Sequence, residues 1–200
     1  MHKTFISYHH ANEQDIKDDI IKRFGGADFI DKSVGDGDID PTLSEDRIMT
    51  LIRTEFLYDS TVTLVLIGSE TSRRPYVNSE IQASLRDTDN NKHNGLLAVI
   101  RDELYDSIYS TSTCSCGHSI RVKDSGSYER YVPDLIRKNH EYGGQQCHFG
   151  GGDVYCAIIK YSTFRSEPER YIEQAYDKRD DKRFIIRKTC SAGVPRIGGI

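Results

Sequence analysis

The sequence has no tryptophan, only two methionines and five prolines, and no surplus of positive charge. Its 27 basic and 31 acidic side chains leave a net charge of −4. A dedicated nucleic-acid binder needs a basic face to neutralise phosphates, so no nucleic-acid partner is expected. No apolar run comes near the ~20 residues that a bilayer-spanning helix requires, so no membrane partner is expected either. The opening Met1-His2-Lys3-Thr4-Phe5-Ile6-Ser7 is too short and polar for a secretory apolar stretch and reads as a first strand. The expected location is therefore the cytoplasm. Cysteine is sparse and odd in number, five in all, which fits reduced thiols better than a disulfide framework.

What is present fits a polar globular chain, with 36% hydrophobic and 29% charged residues. A chain of 200 residues buries roughly 70% of its unfolded surface and needs no covalent staple to form a core. Twelve tyrosines and seven phenylalanines supply the aromatic bulk. One domain over 1–200 is expected, with its core at 1–104 and an insertion plus a final strand and helix in 105–200.

The first half alternates strand and helix. Thr4 to Tyr8 is a short β-branched and aromatic strand. From Ala11 to Phe24, Ile16, Ile20, Ile21 and Phe24 recur at helical spacing until Gly25-Gly26. Phe29-Ile30 starts a weakly marked edge strand, and the Gly-, Asp- and Pro-rich stretch from Asp31 to Pro41 reads as a loop. Ser44 is a candidate cap for a helix with Ile48, Leu51 and Ile52 on one face. Ser60 to Ile67 and Gly95 to Ile100 are continuous apolar runs, the mark of strands buried on both faces of a parallel sheet. Between them a helix opens at Pro75 and runs through Glu80 to about Arg86. This rhythm predicts an α/β, doubly wound parallel sheet. Later, Ser107 to Ser127 reads as an insertion or long loop and Tyr131 to Asn139 as a short helix. Val154 to Tyr161 reads as a strand, and Ser166 to Asp180 as a helix capped by Ser166.

In an open α/β sheet, ligands gather beyond the carboxyl ends of the strands. Ser7-Tyr8-His9-His10, the Asp-rich loop and Gly68 to Glu80 all fall there. Glu80, near a helix start, is favoured as an anion by the dipole and is expected to stay ionised at neutral pH. Periodicity alone does not select it. The combination Phe5-Ile6-Ser7-Tyr8, Thr61 to Ser69 (TVTLVLIGS) and Tyr76-Val77-Asn78-Ser79-Glu80-Ile81 resembles TIR-like domains, within them the subfamily that includes the TIR subunit of the Thoeris antiphage system. The resemblance covers roughly residues 3–100.

That resemblance implies a flavodoxin-like/TIR-like fold and an NAD glycohydrolase or cyclase with Glu80 as its catalytic carboxylate. NAD is then a substrate, and no cofactor or active-site metal is expected. Phe5, Ser7 and Tyr8 would line the base of the nucleotide pocket, with His9 at its rim and Ser69, Tyr76 and Asp46 as further substrate contacts. The loop from Asp36 to Asp46 would be the one that changes shape on assembly. Implied partners are further copies of the chain on activation, a phage-derived trigger, and an effector reached through the nucleotide product. The sequence departs from the family pattern where a tryptophan often precedes the glutamate; here Arg74-Pro75-Tyr76 stands.

Two other classes compete: a catalytically silent TIR-like interaction module, and a nucleoside deoxyribosyltransferase-like enzyme on a similar scaffold. A phosphoacceptor receiver is disfavoured because His9-His10 replaces the acidic cluster expected after the first strand. Cys114-x-Cys116-x-His118 with Cys147-His148 offers soft ligands at a spacing unlike the common zinc fingers, so surface thiols are the favoured reading. Asp36-x-Asp38-x-Asp40 lacks a calcium loop's twelfth-position glutamate, since Arg47 stands there. Gly150-Gly151-Gly152 precedes a strand rather than a helix, the wrong context for a phosphate cradle. The basic cluster Lys178-Arg179 and Lys182-Arg183 alternates with acids and reads as a solvated helix face.

Overall fold

The computed structural model describes residues 2–25, 29–30, 34, 37–40, 42–89 and 91–190. A parallel sheet is built from β1 (Thr4–Ser7), β2 (Phe29–Ile30), β3 (Val62–Ile67), β4 (Gly95–Ile100) and a late strand, Ala157–Lys160. An exposed antiparallel hairpin, β5 (Tyr109–Thr113) and β6 (Ser119–Lys123), precedes that late strand, which is therefore β7. The sheet order is β2-β1-β3-β4-β7, the doubly wound order of a flavodoxin-like fold.

Period-two alternation divides the core. Ile6, Leu64, Leu66, Leu97 and Val99 point to one face, where α1 (His10–Phe24) brings Ile16 and Ile20. On the same face, α7 (Tyr161–Ser166) adds Phe164, and α8 (Pro168–Asp177) adds Ile172 and Ala175. Val65, Ile67, Leu96, Ala98 and Ile100 point the other way. They meet Val77, Ile81 and Leu85 of α3 (Pro75–Ser84) and its cap, and Ile108 of α4 (Asp102–Ile108). Tyr128 of α5 (Ser125–Tyr131) and Leu135 and Ile136 of α6 (Asp134–Asn139) complete that face. A third cluster joins Phe5, Val34, Ile39 and Ala83 to Ile48, Met49 and Ile52 around α2 (Glu45–Leu51). Gly95 lets α8 approach β4 closely, since a β-carbon there would lie 2.0 Å from the Ala175 carbonyl oxygen.

The elements of the first half fall where their patterns place them, including the Ser44 cap, whose hydroxyl accepts from the Arg47 N–H at 3.3 Å. The second half differs in three places. Residues 107–127 are not an irregular insertion: Ile108 ends α4, β5 and β6 pair over five residues each, and α5 follows. The short helix expected over Tyr131 to Asn139 starts later, as α6 after Pro133, because Tyr131 instead ends α5. Ser166 ends α7 instead of capping α8, and its hydroxyl donates to the Thr163 carbonyl at 2.7 Å. Of the loop from Asp31 to Pro41, residues 34 and 37–40 are described; Asp36, which heads the discounted calcium spacing, lies outside them, as does Gly26.

Because Leu64 is wholly buried at the centre of the sheet, Leu64→Ala should lower unfolding stability by about 2–5 kcal/mol. Ile185→Ala, at a side chain 75% exposed, should change it by less than about 0.5 kcal/mol. Urea midpoints of the two variants check this, and equal losses would contradict the assigned core.

Candidate active site

The strand order reverses between β1 and β3, so the helices that follow these strands, α1 and α3, leave for opposite faces. The divergence opens a crevice at the strands' carboxyl ends. Ser7 ends β1, Gly68-Ser69 follows β3 and Arg101 follows β4.

Pro75 occupies the first position of α3, where its missing N–H costs nothing. Val77, Ile81 and Leu85 then take one helix face, which leaves Tyr76, Glu80 and Ala83 on the neighbouring face towards Phe5 and Val34. The Glu80 carboxyl is held at both oxygens. Ser7 Oγ donates to Oε2 at 2.6 Å, and the Val34 N–H donates to Oε1 at 2.7 Å. The residue is 1% exposed.

This arrangement corrects the expected ionisation. Glu80 is the sixth residue of α3, beyond the first turn where the helix dipole favours an anion. Burial pushes its pKa up to about 8, outweighing the opposing effect of the Ser7 and Val34 hydrogen bonds. In this closed state the carboxyl is therefore mostly protonated at neutral pH.

The other expected site residues scatter. Ser7 meets Glu80 directly. Phe5 lies on the same sheet face but is wholly buried among Val34, Ile39 and Ile48, so it packs the floor rather than lining an open surface. Tyr76 packs at the edge of the same cluster. Tyr8 points to the opposite face, where it stacks on His10 at 4.6 Å and its hydroxyl donates to Gln14 at 2.9 Å. His9 caps α1 with Nδ1 buried and unbonded, and burial and the Arg74 charge lower its pKa. Asp46 does not join the group: its side chain is 89% exposed and pairs with Arg86 at 3.0 Å. Ser69 lines a separate open cleft.

That cleft, of about 540 Å³, lies on the α1 side among Asn12, Glu13, Ser69, Arg101 and Leu104. Glu80 is not in its wall. Glu13 is the group that sequence reading missed. It is buried, accepts from the His9 N–H at 3.2 Å and from Thr71 Oγ1 at 3.3 Å, and has its pKa raised by burial. Gly68 makes the space, because a β-carbon there would lie 1.8 Å from Glu13 Oε1. The glycine after β3 was the available signal. Arg101 reaches the Asn12 carbonyl at 2.5 Å and pairs with Asp15 across the crevice.

A family model described as Thoeris protein ThsB, TIR-like domain, matches residues 5–106. The chain belongs to that family. The match runs from β1 into α4 and so contains both Ser7 and Glu80 of this TIR-like protein. Among curated proteins, none matches it. No helix among the described residues is long and apolar enough to cross a membrane.

The raised Glu80 pKa has a defined sign for stability. The folded value lies above the ordinary 4.5, so the carboxyl's contribution is complete below about 4.5 and is lost as pH climbs through about 8. Glu80→Gln, neutral throughout, should melt close to wild type near about pH 5 and above it near about pH 9. Thermal melts across that range check this; parallel pH profiles for the two proteins would contradict it.

Proposed function

We propose that this TIR-like protein is an NAD glycohydrolase or cyclase that releases nicotinamide, with Glu80 as the carboxylate facing the departing group's ribose. The observation that carries this reading is the Ser7–Glu80 hydrogen bond, which joins residues 73 apart at the crevice where the family's fold gathers ligands. In NAD the nicotinamide is already a cationic pyridinium and departs as the neutral base with the bond's electron pair, so no general acid is required. What the site must supply is orientation of the sugar and negative charge against the developing oxocarbenium ion. Glu80 supplies that charge only when ionised. A cationic nicotinamide ribose entering beside it favours the anion, the same direction in which the Ser7 and Val34 donors already act.

The Val34 N–H occupies one carboxyl oxygen, so the sugar reaches Glu80 only after that contact gives way. Self-association on activation, prompted by a phage-derived trigger, is the event proposed to drive that change. Water as acceptor gives ADP-ribose. A nitrogen or hydroxyl of the same nucleotide gives a cyclic product that carries the signal to an effector in antiphage defence. The closure over Glu80 equally favours a second reading, a silent TIR-like module that recruits partners without touching NAD.

Incubation of the oligomerised full chain with NAD separates the two. Wild type is expected to release nicotinamide, and Glu80→Gln to do so at least about a hundredfold more slowly. Because the anion is the working form, the wild-type rate should fall as pH is lowered through the Glu80 titration, while the Glu80→Gln rate should not follow that profile. Equal release by wild type and Glu80→Gln would remove Glu80 from the chemistry. No release by either, in a protein shown to be assembled, would leave the interaction module.

A further inference from the structure

The chain beyond the family match holds a feature that the proposed NAD chemistry does not use. Hairpin β5–β6 is exposed along nearly its whole length, with Tyr109 and Ile120 alone partly covered. A two-stranded hairpin without an apolar face is marginal in water. Its turn is nonetheless built tightly: Cys114 N–H donates to the His118 carbonyl and Gly117, at φ +85°, donates to the Cys114 carbonyl, both at 2.9 Å. Facing this turn is the middle of the long connection from α6 to β7, where Cys147 and His148 stand.

The side chains at this junction converge. One ligand atom from each of Cys114, Cys116, Cys147 and His148 lies within 4.8 Å of all the others, the one such group among the described residues. His148 Nδ1 is 3.5 Å from Cys116 Sγ and 3.4 Å from Cys147 Sγ. A tetrahedral zinc with its usual bond lengths would set such sulfur–nitrogen edges at roughly 3.5 Å. All five cysteines are free thiols, so no disulfide competes for these sulfurs.

We propose that Cys114, Cys116, Cys147 and His148 form a closed, structural zinc site that staples the β5–β6 turn to the α6–β7 connection. Three thiolates and one imidazole are a soft, four-coordinate set that suits zinc over magnesium or calcium and leaves no open position for catalysis. Three protons leave the thiols as the ion binds. His118, whose Nδ1 is 3.2 Å from Cys116 Sγ and whose ring lies 5.1 Å from that of His148, is a neighbour that braces the set from outside it. The sequence already grouped Cys147-His148 with Cys114-x-Cys116-x-His118 and favoured surface thiols because that spacing is unlike the common zinc fingers.

The full chain, reduced and metal-free, is titrated with Co(II) and then with Zn(II). The expected result is tetrahedral visible absorption with thiolate charge transfer, saturating at about one ion per chain and bleached by zinc. Cys116→Ser, Cys147→Ser and His148→Ala should each weaken binding at least about tenfold, while Cys190→Ser should leave it unchanged. Weak octahedral absorption from the wild-type chain would overturn the site whatever the variants do. Retention of the tetrahedral bands by folded Cys116→Ser and Cys147→Ser would overturn the ligand set.

Discussion

A carboxyl group buried at the joint between two strands is the constraint from which the organisation of this protein follows. Glu80 cannot remain without partners in an apolar surrounding, because an unsatisfied carboxyl there costs more than most single packing contacts return. The fold supplies one partner from β1, Ser7, and one from the segment before α2, Val34. Both are correct only if α3 packs on the sheet face opposite α1, which the doubly wound strand order enforces. Topology and polar satisfaction therefore specify each other at this point.

The same constraint explains the tension between stability and chemistry. The two donors fix the carboxyl's position and favour its anion, while burial outweighs them and keeps it protonated. On the proposed reading, the group that would oppose positive charge is held protonated while it is buried. On the other sheet face, Glu13 repeats the theme with Thr71 and the His9 N–H, beneath an open cleft beside Arg101. Two carboxyls flank one crevice on opposite sheet faces, and both are kept from their ordinary acidity by burial.

Much of the first half could be read from sequence because each signal there is local and strong. VTLVLI and GLLAVI leave strand as the economical choice, and Pro75 marks the first turn of α3. The family resemblance assigned Ser7 and Glu80 to one pocket but not to each other, since nothing in their spacing implies a hydrogen bond across 73 residues. The ionisation of Glu80 was misjudged because the dipole is visible in sequence and burial by Val34 is not. Tyr8 and Asp46 were misplaced for related reasons: one turns on strand parity, the other on where an unpatterned loop ends. The hairpin was missed because Ser, Thr and Cys carry no apolar alternation, so its pairing depends on the turn and on what holds that turn in place.

The carboxyl's own titration bears most directly on this picture. In protein labelled with carbon-13 at glutamate side chains, the carboxyl resonance that vanishes in Glu80→Gln identifies the group. Its chemical shift, followed by NMR across pH, should turn over near 8. A midpoint in the ordinary range of 4 to 5 would mean that the carboxyl is solvated and that the closed arrangement with Ser7 and Val34 does not describe the resting protein.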